Sequence, residues 1–179
     1  QGNLTATDNS FDMAVQGKGF FQVQMPTGET AYTRDGTFQL NQNGQMVTHD
    51  GYPLQPGISV PSNAVDVTIN NAGEVLAQIE GQVALQNVGR IQLATFQNEP
   101  GLQAVGDNLL LETPASGSPV TGNPASIGFG SILQGFLETS NVNAVEEISQ
   151  LISAQRAYEM NSKVIQTSDE MMGTLTTLR

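Results

Sequence analysis

The chain predicts a mainly β fold that ends in one long C-terminal α-helix, and three observations predict it. Short alternating or β-branched runs are punctuated by glycine at Gly28, Gly36, Gly44, Gly51 and Gly57, and again at Gly73, Gly81 and Gly89. That spacing suits short strands joined by tight turns. From Ala144 to Met172 neither proline nor glycine interrupts the chain, and a series at seven-residue spacing, Ala144, Leu151, Tyr158, Ile165 and Met172, stays apolar throughout.

Within the β region, from about Phe11 to Phe136, strands are expected at 12–15, 20–24, 31–34, 38–40, 46–48, 65–69, 75–79, 82–85, 89–95 and 108–111. Phe20, Phe21, Tyr32, Phe38 and Val47 alternate or cluster as core residues do, and their expected task is to hold the turn containing Gly17 and Gly19. Pro53, Pro56 and Pro61 break the pattern and mark the entry to an inserted outer β subdomain at about 58–97, and Asn98-Glu99-Pro100-Gly101 marks its exit. Residues 113–124, rich in turn formers, read as a surface loop. The body, residues 1–137, is thus expected to be a β-sandwich or barrel-like assembly of short strands, followed by an assembly helix in 138–179.

The helix start is marked by Asn143 as cap, with Glu146 three residues on completing a capping box. Glu146 and Glu147 suit the positive end of the helix dipole and Arg179 the negative end. Run to Leu178, the rod would be roughly 54 Å long, more than a domain of this size needs for its own core. A second seam, Ile148, Gln155, Ser162, Asp169 and Thr176, begins apolar and turns polar. The stripe is therefore narrow, which predicts partner helices over a helix lying on its own domain.

Composition narrows the partners. The net charge of −11 opposes binding to nucleic acid or an anionic membrane, because phosphate neutralisation needs clustered Lys and Arg. No run of the roughly eighteen apolar residues needed to span a bilayer is present, so membrane insertion is not expected. Cysteine is absent, which removes disulfides, thiolate metal sites and a cysteine nucleophile. The opening residues lack an initiator Met and a charged-then-apolar leader, and read like the interior of a longer chain.

A search for catalytic chemistry finds little. His49, the only histidine, lies in the turn-like Thr48-His49-Asp50-Gly51, where a solvent-exposed side chain is the expectation. Gln16-Gly17-Lys18-Gly19-Phe20 lacks the second glycine and Lys-Ser or Lys-Thr of a phosphate loop, and reads as a turn between strands. Asp8 with Asp12, or Asp35 with Asp50, read as solvated charge, and Asn3-Leu4-Thr5 fits a short glycosylation pattern of little specificity. No enzyme, cofactor or metal site is expected. A secreted β-rich adhesin or carbohydrate-binding module remains an alternative, set against the absence of tryptophan and an aromatic content of 6%.

The residues also carry a family resemblance. The run 9–21, ending in Gly17-Lys18-Gly19-Phe20-Phe21, then 31–38 with Tyr32, Arg34, Gly36 and Phe38, and then 43–47, resembles the β motif shared by bacterial flagellar rod and hook proteins. Residues 106–112, 134–143, 155–163 and 169–172 fit the same family, and the tail is most similar to its distal rod branch. The resemblance implies a structural subunit with no catalytic residue, self-assembling as a helical polymer into a tubular axle that passes motor torque to hook and filament. It further implies a place in the periplasm-spanning rod of the basal body, export through the flagellar type III apparatus, and contact with copies of itself, with other rod and hook proteins, and with the L and P bushing rings. A proximal rod or hook subunit is the alternative within the family. The helix that in relatives precedes this region and pairs with the C-terminal one is missing from the sequence. On this reading Ala144, Ile148, Leu151, Tyr158, Ile165 and Met172 form the assembly edge.

Overall fold

Alternation of buried and exposed side chains builds the β region strand by strand. Val67 and Ile69 are buried while Asp66 and Thr68 face solvent, and Val75, Ala77 and Ile79 are buried around an exposed Gln78, the two-residue period of a sheet with one face covered. The structure, a computed structural model, describes residues 2–82, 84–142 and 144–177. The strands are β1 (Leu4–Ala6), β2 (Met13–Gln16), β3 (Phe20–Gln24), β4 (Thr30–Thr33), β5 (Phe38–Leu40), β6 (Met46–Thr48), β7 (Leu54–Gln55) and β8 (Ala64–Ile69). After them come β9 (Glu74–Ile79), β10 (Leu85–Arg90), β11 (Leu93–Thr95), β12 (Gln103–Gly106), β13 (Leu109–Leu111), β14 (Val120–Gly122), β15 (Ser131–Gln134) and β16 (Phe136–Glu138). A short 3₁₀ turn, Glu99–Gly101, lies between β11 and β12, and α1 spans Ala144–Thr177.

The largest sheet runs β12-β13-β4-β3-β11-β14, with β7 also paired to β3. A three-stranded sheet, β10-β9-β8, and the pairs β15-β2, β5-β6 and β1-β16 complete the body, and every pairing is antiparallel. The mainly β fold with a long C-terminal helix is the one expected. One core joins these sheets: Met13, Phe21, Phe38, Leu54, Val75 and Ile132 are buried in a single cluster. Each such side chain contributes about 1.5–3 kcal/mol by leaving water. A smaller cluster of Phe20, Tyr32, Ala94 and Phe96 covers a second patch.

Several elements differ from expectation, each for a local reason. The strand expected at 82–85 is displaced because the Gln82 N–H donates to Ile79 O (3.1 Å) in the hairpin turn, so pairing begins at Leu85. The single strand expected at 89–95 is two, since Ile91 N–H donates to Gly73 O (2.7 Å) and the chain passes there from one sheet to another. Within the supposed surface loop 113–124, Val120–Gly122 pairs with β11. Strands β1, β7, β12, β15 and β16 were not anticipated. Residues 58–97 hold the three-stranded sheet, whose inner side chains Val67, Ile69, Val75 and Ala77 belong to the same core as Met13 and Phe21. Gln134 fastens it: Ile69 N–H donates to Gln134 Oε1 (2.9 Å), and Gln134 Nε2 donates to Val67 O (2.8 Å) and Ser10 O (2.8 Å).

The chain divides into two compact units, Gln1–Thr139 and Ser140–Arg179. Asn143 as helix cap, Arg179 at the helix end, and the Val83 share of the 82–85 strand fall outside the described residues.

Candidate assembly site

The turn Gly17-Lys18-Gly19 links β2 to β3, and its two glycines have φ of +109° and +134°. Side chains other than glycine rarely adopt such angles, and a Cβ on Gly19 would also press on Leu93 Cβ and Cδ1 at 3.1 Å. Arg34, just beyond β4, holds this turn. Its Nη1 donates to Gly17 O (2.9 Å) and Gly19 O (2.5 Å), and its Nη2 donates to Val15 O (3.2 Å). Its Nε donates to Glu138 Oε2 (3.1 Å), while Nη2 and the same oxygen form an ion pair at 3.0 Å. The guanidinium carbon also lies 5.7 Å from the centre of the Phe20 ring, within cation–π range.

Glu138 extends the connection by accepting from the Gly2 N–H through Oε1 (2.8 Å), beside the antiparallel pair β1-β16. The same Arg34–Glu138 contact thus ties the glycine turn to the strand pair at the end of the body. Gly36 is demanded by close approach, since a Cβ there would fall 1.5 Å from Met13 O, and Met13 N–H donates to Gly36 O (3.0 Å). Phe21 and Phe38 meet edge to face with centroids 5.2 Å apart, and Tyr32 meets Phe96 in the same manner at 4.7 Å. The structure therefore brings Gly17, Gly19, Phe20, Phe21, Tyr32, Arg34, Gly36 and Phe38 together around β2 to β5. Sequence reasoning missed the carboxylate partner: Glu138 lies in the motif run 134–143, but no local pattern pairs it with Arg34.

The helix α1 carries Glu146 and Glu147 in its first turn, as the dipole favours. Ile148, Leu151, Tyr158, Ile165 and Met172 are all exposed, Tyr158 to 78%. The side chain of Ala144 falls outside the described residues. At about 100° per residue the seam Leu151, Tyr158, Ile165, Met172 drifts only about 20° per step, and so forms one continuous edge. Near the helix start Ile148, Ile152 and Val145 carry apolar surface about 60° to 120° round from Leu151, whereas Met160, Val164 and Met171 lie on the opposite face and are also exposed. The expected narrow stripe is thus accompanied by a second apolar face, which sequence reasoning missed by following one heptad series. Among the described residues of unit 140–179, α1 is the one helix or strand, so no second element there covers either face.

His49 lies in a turn with its side chain 82% exposed, its Nδ1 3.2 Å from Asp50 Oδ1. Among the described residues no group of three His, Cys, Asp or Glu side chains is arranged to hold a metal ion.

A family model described as the flagellar hook protein FlgE/F/G D1 domain matches residues 14–77, and one described as the flagellar basal body rod FlgEFG protein C-terminal region matches 133–178. The flagellar basal-body rod protein FlgG of Caulobacter vibrioides is 55% identical over all of this chain and 68% of the relative's length. The chain belongs to the FlgG family of flagellar basal-body rod proteins. FlgG of Buchnera aphidicola subsp. Schizaphis graminum is 51% identical over 99% of the chain and 68% of that relative. The rod protein FlgF of Caulobacter vibrioides is 36% identical over 96% of the chain and 66% of its own length, so within one organism the FlgG relative is the nearer of the two. In the FlgG family frame, one matched region holds Gly17, Gly19, Arg34 and Gly36, and the other holds Glu138 and the helix.

Proposed function

We propose that this chain is a structural subunit of the flagellar distal rod that polymerises into a tubular axle and passes motor torque to the hook and filament. One observation carries the reading: a chain of the FlgG family ends in a helix whose apolar edge Leu151, Tyr158, Ile165 and Met172 is exposed. Covering such an edge stabilises an assembly by roughly 25 cal/mol for each Å² of apolar surface removed from water. Helices of neighbouring copies supply that cover as a coiled-coil-like inner wall, and the second face, with Met160 and Val164, engages a further neighbour. The β body, 1–137, then forms the outer wall, and 138–179 is the assembly helix.

The role is mechanical and not catalytic. Exposure of the sole histidine in a turn supports this, since a general base needs a sheltered substrate position. The Arg34–Glu138 contact serves this role by making the body stiff where its first and last strands meet. Partners are copies of this chain, neighbouring rod and hook proteins, and the L and P bushing rings. The site of action is the periplasm-spanning rod, reached through the flagellar type III export apparatus. Within one organism the lower identity to the rod protein FlgF, 36% against 55%, disfavours that branch of the family.

Electron microscopy of the purified full-length protein tests this reading. Tubes are the expected product. A chain that stays monomeric at every concentration, under conditions in which FlgG relatives polymerise, would refute it.

A further inference from the structure

Within the body, one large apolar side chain is wholly exposed on a held loop. Ile127 has a relative exposure of 102%. Around it, Phe129 N–H donates to Ser126 O (3.0 Å), Ala125 N–H to Gly130 O (2.8 Å) and Gly130 N–H to Lys18 O (2.7 Å). A side chain on a loop fixed in this way loses little further chain entropy when it meets a partner.

A groove of about 400 Å³ opens elsewhere on the body, lined by Asn43, Gly44, Ser59, Val60, Pro61 and Ser62 among others. Val60 N–H donates to Gly44 O (2.8 Å), which fixes one wall against the other. The groove flanks the start of β8, because Ala64 N–H donates to Pro61 O (3.0 Å). Ile127 belongs to the other end of that strand. There, Ile132 N–H donates to Asn71 O (3.2 Å) in the turn after β8, and a Cβ on Gly73 would stand 2.8 Å from Pro124 Cγ. Six residues of strand put the two ends roughly 20 Å apart.

Charge makes the two surfaces a compatible pair. Copies of a chain with net charge −11 repel one another, yet residues 113–130 contain no Asp, Glu, Lys or Arg, and neither does the groove lining. A contact between them desolvates no ion. Resting on the rod-subunit reading above, we propose that Ile127 of one copy seats in the Gly44–Val60–Pro61 groove of the next copy. The knob and the groove are different surfaces, so one copy can offer its knob to a second while its groove receives the knob of a third; we take the contact in this head-to-tail sense, which adds copies, and a reciprocal two-fold exchange would instead stop at dimers in the test below.

These 179 residues hold no cysteine, so a pair introduced among them can be followed by cross-linking in rods isolated from cells, with the unmodified full-length protein as the baseline. With Ile127→Cys and Ser59→Cys together in the full-length protein, mild oxidation is expected to give a ladder of covalent dimers, trimers and longer species that collapses on reduction. Ile127→Cys alone is expected to give none. Ile127→Asp should lower the yield of polymer at least tenfold while the soluble monomer keeps its unfolding midpoint, and Ile127→Val should assemble normally. The proposal is overturned by any of three results: no ladder from the paired variant, dimers from Ile127→Cys alone, or normal assembly of Ile127→Asp. Where the unmodified chain still builds rods, those results leave the rod reading intact. If the unmodified chain builds no rods, both readings fall.

Discussion

Arg34 and Glu138, 104 positions apart in the chain, meet in an ion pair of 3.0 Å with side-chain exposures of only 22% and 12%. The pair closes the body. Arg34 gathers the carbonyls of Val15 in β2 and of Gly17 and Gly19 in the glycine turn, while Glu138 in β16 receives the N–H of Gly2, just before β1.

Replacing Arg34 by Ala leaves Glu138 without its cation and the turn carbonyls without their shared donor, a loss of about 2–4 kcal/mol. Arg34→Lys is expected to recover only part of it, because an ammonium on a flexible stem cannot span the carboxylate and three carbonyls as the planar fork does. Urea unfolding of both variants measures the difference. A double-mutant cycle with Glu138→Gln should show a coupling of about 1 kcal/mol or more.

Gly36→Ala and Gly51→Ala separate close approach from conformational strain. The Gly36 Cβ would overlap Met13 O at 1.5 Å, so the β2 backbone must move, and a loss above about 3 kcal/mol is expected. Gly51 has φ of +89° but nothing within 4 Å, so its replacement should cost only about 1–2 kcal/mol. Equal losses by thermal unfolding would contradict the distinction.

Asp35 gives the body a dependence on acid. Burial disfavours its carboxylate, but donors from the Thr37 hydroxyl (2.6 Å), the Thr37 N–H (3.0 Å) and Asn108 (3.2 Å) outweigh that penalty, with His49 adding attraction, and hold the group below the ordinary carboxylate range. A depressed folded value means that the stabilisation is fully present above the unfolded value of about 3.9 and is lost as pH falls through the folded one. In Asp35→Asn the decline of melting temperature below about pH 4 should therefore be shallower than in the unmodified chain.

Much of the fold was legible where side-chain periodicity is strong. The strands Phe20–Gln24, Phe38–Leu40 and Met46–Thr48 lie where alternation and flanking glycines place them, and the helix follows its unbroken run. Strands such as Leu4–Ala6 and Phe136–Glu138 escaped because they are short and are made by pairing with each other across the whole body. Val120–Gly122 escaped because its neighbours are turn formers, and β11 alone draws it into the sheet. The glycine turn was visible as a motif, but the hydrogen bonds of Arg34 were not, since chain proximity in space has no local signature. Gln134 likewise looked like a motif residue and is instead the fastening between β8 and the body.

The central claim is that the apolar edge of the helix drives assembly, and charge placed on it is the most direct test. In the full-length protein, Tyr158→Asp together with Ile165→Asp puts two carboxylates on a seam whose side chains are 78% and 63% exposed, so the β body should keep its unfolding midpoint. Counting tubes by electron microscopy beside that midpoint gives the answer. Assembly through the helix predicts loss of tubes with the body still folded, whereas normal tubes with both charges present would contradict it.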